Sequence, residues 1–423
     1  MKSLLPFLLA PITLTACDDA IATPDLPPRE ACVLAVIASD YLSTAVSLLT
    51  SDGTLCAPDI VTSGSRPPGL LTALSGDVVL PSEPDPAGLL YLIDRFPNAV
   101  VTTLDPLTSE VLTQLAVSPG FAGNPYDIAF LAPSPTFLLT RFGSDPDDPD
   151  GQGSDLLRVA AETTRIDLSA YADPGFEPMP DQLARAAGHL WVGLTHLTAD
   201  FSRAAPGRAL ALDPNTLAMT HSLDLDPLQN CGTIVASSPT AGLWVVCSGL
   251  FRASPTGPQS DHSGLAWLSP SLTPATPSVP NPSTPIPLTP TWLRLAADLH
   301  PPGTNARPLG FTLAALDDDR ALIVALGDLA TKLPDRLLLV TRSTDTVTTL
   351  AESDGPYELG AVLPRPANGP AGVGGLILVA DANPRTPRVR RFTWPTATTP
   401  SRELSPVAIS PSGLPPRHIA VIR

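Results

Sequence analysis

After residue 16 this sequence contains a single lysine, Lys332, so nearly all its positive charge is arginine. Covalent catalysis through a lysine amine therefore has almost no material to work with. Other chemistry is missing too. There is no Gly-x-Ser-x-Gly elbow, no phosphate-binding P-loop and no dinucleotide fingerprint. The six histidines show no metal spacing, and His189 and His196 stand seven apart across a strand end, which does not make a ligand pair. Positive charge is scarce overall. The net charge is −16, and removing residues 1–16, with Lys2 and no acid, makes it −17. That balance argues against a nucleic-acid partner and against electrostatic attachment to anionic lipid. No segment has the 18 uninterrupted apolar residues of a membrane span, and no 3.6-residue periodicity lasts beyond a turn or two. What remains is 43% hydrophobic and 16% charged, which supports a large core in spite of 52 prolines.

The N-terminus reads as an export signal. Lys2 precedes an apolar run from Leu4 to Leu14 that is too short to span a bilayer. "LTAC", residues 14–17, resembles the bacterial lipobox, in which the cysteine is lipidated and becomes the new N-terminus. The resemblance implies a signal peptide over 1–16, a lipid on Cys17 and a membrane anchor without a transmembrane helix, which places the domain in the cell envelope. The polar, proline-rich stretch that follows makes 17–31 a tether. Four further cysteines in an exported chain suggest disulfides, paired here as Cys32–Cys56 and Cys231–Cys247, with buried free thiols as the alternative.

Residues 32–423 repeat. A Pro-x-x-apolar motif opens a short strand at Pro68, Pro125, Pro180, Pro308, Pro356 and Pro416, with "CGTI" at Cys231 as a seventh copy. The intervals are 57, 55, 51, 77, 48 and 60 residues. A turn and a second apolar strand follow each internal copy: 77–82, 136–143, 189–194, 242–247, 320–326 and 375–381. Third strands follow at 208–213, 263–269 and 336–342, and fourth strands at 111–118 and 218–226. About seven units of four strands predict an all-β fold, a single β-propeller with seven four-stranded blades. Six or eight blades stay open because 249–305 is irregular. "CVLAVIASD" has no first strand before it and "PRHIAVIR" is a first strand with nothing after it. The two complete one blade, so the C-terminal strand closes the ring and removes two sheet edges.

Residues 89–130 resemble the YVTN-type propeller repeat: a strand, an Asn-Ala-Val strand at 98–100, an Asp-x-x-Thr turn at Asp105–Thr108, a further strand, and Pro125–Ala129. The resemblance supports the fold and implies no catalytic residues, because that motif is structural.

In such a blade the loop between strands two and three shares a face with the crossover to the next blade. The long insertions 143–154, 195–207, 248–262 and 327–335, with a crossover over 271–307, fall there and predict a binding face for a protein or glycan partner. The motif residues Tyr126, Asp127, Asp181, Gln182, Tyr357, Glu358, Arg417 and His418 ring the central opening on that face, as a ligand site or as a solvated rim. Asp145, Asp147, Asp148, Asp150 and Asp155 form a candidate Ca²⁺ loop or a solvated acidic one; no other cofactor is expected. Trp191 and Trp244, at equivalent second-strand positions, predict packing between blades. Two functions follow. The first is an anchored, non-enzymatic binding scaffold. The alternative is a hydrolase or lactonase with Asp127, Glu358, Arg417 and His418 in the funnel. Clustered, buried polar groups with shifted pKa values favour the second.

Overall fold

The computed structural model describes residues 26–132, 135–145, 147, 152–250, 262–272, 285–366, 375–396 and 400–423. They form seven sheets, each with four antiparallel strands, whose innermost strands follow one another around a central axis. Blade 1 combines Pro416–Val421 with Cys32–Ser39, Thr44–Thr50 and Leu55–Thr62. Ala35 pairs with Ala420 and Val36 with Ile419, so the last strand closes the ring. Blades 2 to 7 begin at Val78–Val79, Pro125–Phe130, Pro180–Ala186, Thr233–Val235, Leu309–Ala315 and Leu359–Arg365.

Burial explains the strand sequences. A second strand lies between its own neighbours and the faces of two adjacent blades, so Leu243–Cys247 is buried at every residue and reads as an unbroken apolar run. An outermost strand such as Val111–Ala116 faces solvent and is mostly exposed. Trp191 fills the seam between blades 4 and 5 and Trp244 that between blades 5 and 6, both with no exposed surface. The Pro-x-x-apolar motif marks a β-bulge. Pro125 pairs with Arg141 but Ile128 with Leu139, and Pro180 pairs with Leu194 but Leu183 with Val192: three steps along one strand meet two on its partner. Blade 1 slips the same way over Pro416–Ile419; in blade 7 the three-to-two slip follows the motif, between Leu359 and Val362, and in blade 6 four steps, Leu309 to Leu313, meet two. A bulge bends the inner strand and re-aims the two middle residues.

Two expectations are corrected. Pro68 does not open blade 2: 77–82, read as a second strand, contains the innermost one, Val78–Val79, and Leu90–Asp94 is the second. This two-residue strand carries no bulge and has no proline motif to announce it. The segment 271–307 is not one crossover. Ile286–Leu288 pairs in parallel with Met219–Gln229 and covers the outer edge of blade 4, and Trp292–Leu295 is the fourth strand of blade 5. Residues 269–291 therefore lie between strands three and four of blade 5 in the chain.

Both disulfides pair as expected. Cys32–Cys56 ties the second strand of blade 1 to its fourth. Cys231–Cys247 ties the start of blade 5's inner strand to the end of its second, 16 positions along the chain. Chain entropy gives a loop of that size about 3 kcal/mol. Urea denaturation of the double variant Cys231→Ala/Cys247→Ala should show a loss of that order, and a loss below about 1 kcal/mol would mean the bridge adds little constraint.

Candidate functional site

The bulges turn motif residues of several blades toward the axis, and a side chain from blade 2 reaches across to meet them. Arg95 directly follows the second strand of blade 2. Its Nε donates to Asp77 Oδ1 at 3.0 Å, and the two form an ion pair. Its guanidinium lies 4.5 Å from the centre of the Tyr126 ring of blade 3. It also acts electrostatically on Asp181 of blade 4 and His418 of blade 1. One arginine is thus the common neighbour of groups from four blades.

The two motif aspartates have opposite fates. Asp127 accepts from Ser82 N (2.9 Å), Ser82 Oγ (2.6 Å), Ile128 N (2.8 Å) and Leu183 N (2.9 Å). It fastens blades 2, 3 and 4 below the mouth, and Ser82 also donates to Leu183 O at 3.0 Å. Burial raises its pKa to about 6 against those donors. With its acceptor sites filled, it is a structural pin. Asp181 is 5% exposed, and no hydrogen bond or ion pair reaches its carboxylate among the described residues. Burial pushes its pKa up to about 7; Arg95 opposes the shift and the Asp127 charge adds to it. Space around it is tight: a Cβ on Gly232, which begins blade 5, would lie 2.2 Å from Asp181 Oδ2.

The remaining sequence-selected residues divide. Burial and then the cations Arg95 and Arg417 drive the His418 pKa down to about 3, so its imidazole is neutral at ordinary pH. Burial raises the Tyr126 phenol to about 12. Arg417 lies over the Tyr41 ring at 4.8 Å and donates to Ser39 O at 3.3 Å. Gln182 donates through its backbone to Gly232 O at 3.2 Å. Glu358 turns back to accept from Asp354 N (3.1 Å) and Gly355 N (2.9 Å), and it senses Asp354 and Asp381, away from Arg95. Tyr357 is exposed, and its backbone N–H goes to Asp335. The funnel cluster is therefore Tyr126, Asp181 and His418 around Arg95 and Asp77, with Arg417 beside them. Sequence reasoning missed Arg95 and Asp77. Recognising 89–94 as a second strand, the phase in which the YVTN-like match begins, would have placed both at the mouth.

In the acidic loop, Asp155 is fully buried and takes Arg141 through two bonds of 2.7 Å and Arg165 at 2.6 Å. Asp145 accepts from Asp147 N at 3.0 Å. Asp148 and Asp150 lie outside the described residues, as does Cys17.

No family model and no curated protein matches the sequence. Among solved structures, the chain is similar to a candidate 6-phosphogluconolactonase from Bacteroides fragilis, with a TM-score of 0.53 and 10% identity over 94% of this chain and all of that one. A second candidate 6-phosphogluconolactonase, from Bacteroides uniformis, gives 0.50 and 12% over 92% and 99%. A protein from Lactobacillus plantarum gives 0.54 and 12% over 93% and 99%. The chain is a seven-bladed β-propeller, and its likeness to these proteins is one of fold.

Proposed function

We propose that the funnel is the active site of a hydrolase acting on a lactone or small ester. The observation that carries this reading is Asp181: a buried carboxylate with a pKa of about 7 and no protein donor among the described residues, beside an arginine. Asp181 takes a proton from a water molecule, and the water oxygen attacks the substrate carbonyl. Negative charge gathers on the carbonyl oxygen, facing the Arg95 guanidinium. Collapse breaks the ring C–O bond, and the proton on Asp181 passes to the departing alkoxide. Water and lactone become one hydroxy acid. Asp77 holds Arg95 in place. His418 is neutral at ordinary pH, so it is not the acid of the reaction. Two of the similar folds carry lactonase names, which fits this chemistry and not a pure scaffold. The test is hydrolysis of a panel of lactones and aryl esters by the purified protein, with Asp181→Asn as the control. Wild-type turnover equal to the variant's would sink the reading.

The same proposal keeps the protein outside the cytoplasm and anchored through Cys17. Two disulfides suit an oxidising compartment. The described chain enters blade 1 on the face opposite the funnel mouth, where Arg29 donates to Ser109 Oγ and Leu107 O of the blade 2 hairpin. An anchor before it leaves the mouth open to solvent. Cys17→Ala should move the protein from the membrane fraction to the soluble one and abolish labelling by a radioactive fatty acid. Retention of both would reject the anchor.

A further inference from the structure

The funnel wall is polar on one side only. Beside Asp181 and Arg95, the Tyr126 ring stacks on Phe142 at 4.9 Å and 28°, and Phe142 on Phe201 at 6.2 Å and 7°. Met179, Leu197 and Leu250 pack around this ladder. Its inner rung meets the Arg95 guanidinium. Its outer rung, Phe201, is 55% exposed on the loop between strands two and three of blade 4.

That exposure is built in. Phe201 has φ +57°, a backbone conformation that bulky side chains rarely adopt. A local network fixes it. Phe201 N donates to Thr198 O at 2.8 Å, Thr198 Oγ1 to Asp200 Oδ1 at 2.6 Å, and Ser202 N to the same oxygen at 3.1 Å. Strain of this kind, held by its surroundings, tends to gather at ligand sites. Other large apolar side chains on this face are also exposed, among them Leu42, Phe96 and Leu329, but among the described residues only the Tyr126–Phe142–Phe201 row stacks from the polar cluster to the rim. The charges point the same way. Arg95 is paired with Asp77 and Arg417 lies on Tyr41, so the positive charge beside Asp181 is partly neutralised and suits a neutral lactone or ester head better than a dianionic phosphate.

Resting on the hydrolase reading, we propose that the substrate is amphiphilic: a lactone or ester head against Asp181 and Arg95, and an apolar chain that leaves the funnel over Tyr126 and Phe201. The test uses lactones carrying alkyl chains of about two to ten carbons and the matching alkyl lactams, which resist hydrolysis and report binding by calorimetry. A methylene fully removed from water changes affinity about fourfold, so a half-covered lane should give roughly twofold per carbon in lactone kcat/KM and in lactam affinity. Phe201→Ala should flatten both series; Leu329→Ala, exposed on the same face in blade 6, should leave them sloped. A flat wild-type series, a slope that survives Phe201→Ala, or no lactam binding overturns the lane. Absent hydrolysis with a lactam slope that needs Phe201 keeps the lane and removes the hydrolase reading instead.

Discussion

Asp181→Asn should lower lactone hydrolysis by about 10²- to 10⁴-fold, the usual reach of a positioned general base, while making the protein more stable at pH 8. Few substitutions move activity and stability in opposite directions, so the pair of effects is diagnostic. The activity loss follows because an amide cannot accept the proton of the attacking water. Wild-type kcat/KM should also rise with pH through about 7, the Asp181 pKa, and level off above it, since only the ionised form is a base.

The stability gain follows from linkage. The Asp181 carboxyl has a pKa of about 7 folded against 3.8 for an unperturbed group. Between those values the folded state holds the proton more tightly. Stability from this group is therefore fully present below about pH 4 and is lost as pH rises toward 7. The difference corresponds to at most on the order of 4 kcal/mol. Asparagine never ionises, so thermal melts of variant and wild type should nearly coincide at pH 4 and separate by several degrees at pH 8, with the variant higher. Equal melting at pH 8 would show that Asp181 carries no buried-charge penalty and would remove the physical ground for calling it the base.

The fold was legible because several blades solve one geometric problem in a similar way. In blades 1, 3 and 4 the inner strand bulges over the motif itself, leaving a proline and an apolar residue three apart in the sequence, and in blades 6 and 7 the motif leads into a strand that bulges further on. Blade 2 escaped because Val78–Val79 pairs regularly with Asp94 and Ile93 and needs no such motif, while Pro68 mimics one. Part of the site was legible for the same reason: Tyr126, Asp181 and His418 sit inside the motif. Which aspartate is free was not legible. Asp127 stands two residues after its motif proline and Asp181 one residue after its own, and the motif does not say which of these positions is satisfied; the arrival of Ser82 from blade 2 and of the Leu183 amide from blade 4 turns Asp127 into a pin. Arg95 acts across four blades, a relation no local pattern encodes.

Asp335→Ala should be the most damaging single change in the scaffold, costing on the order of 3–5 kcal/mol. Asp335 has no exposed surface and sits just before the third strand of blade 6. Its carboxylate accepts from Gly327 N (2.7 Å), Tyr357 N (2.9 Å), Glu358 N (2.8 Å) and Leu359 N (3.0 Å). Three of those donors are successive residues leading into the bulged inner strand of blade 7, and Tyr357 is held there at φ +60°. Among the described residues no other acceptor takes these donors, so alanine leaves buried N–H groups unpaired and frees the turn that leads into blade 7. Asp335→Asn keeps one acceptor oxygen but sets an N–H₂ against two of the donors, so it should fall between wild type and alanine. Asp298→Ala is the matched control, an exposed aspartate outside any such network. Urea denaturation of the three variants should rank Asp298→Ala with wild type, then Asp335→Asn, then Asp335→Ala. If Asp335→Ala unfolded with the control, the crossover would be held by apolar packing alone, and the buried aspartates Asp127 and Asp155 would need the same reassessment.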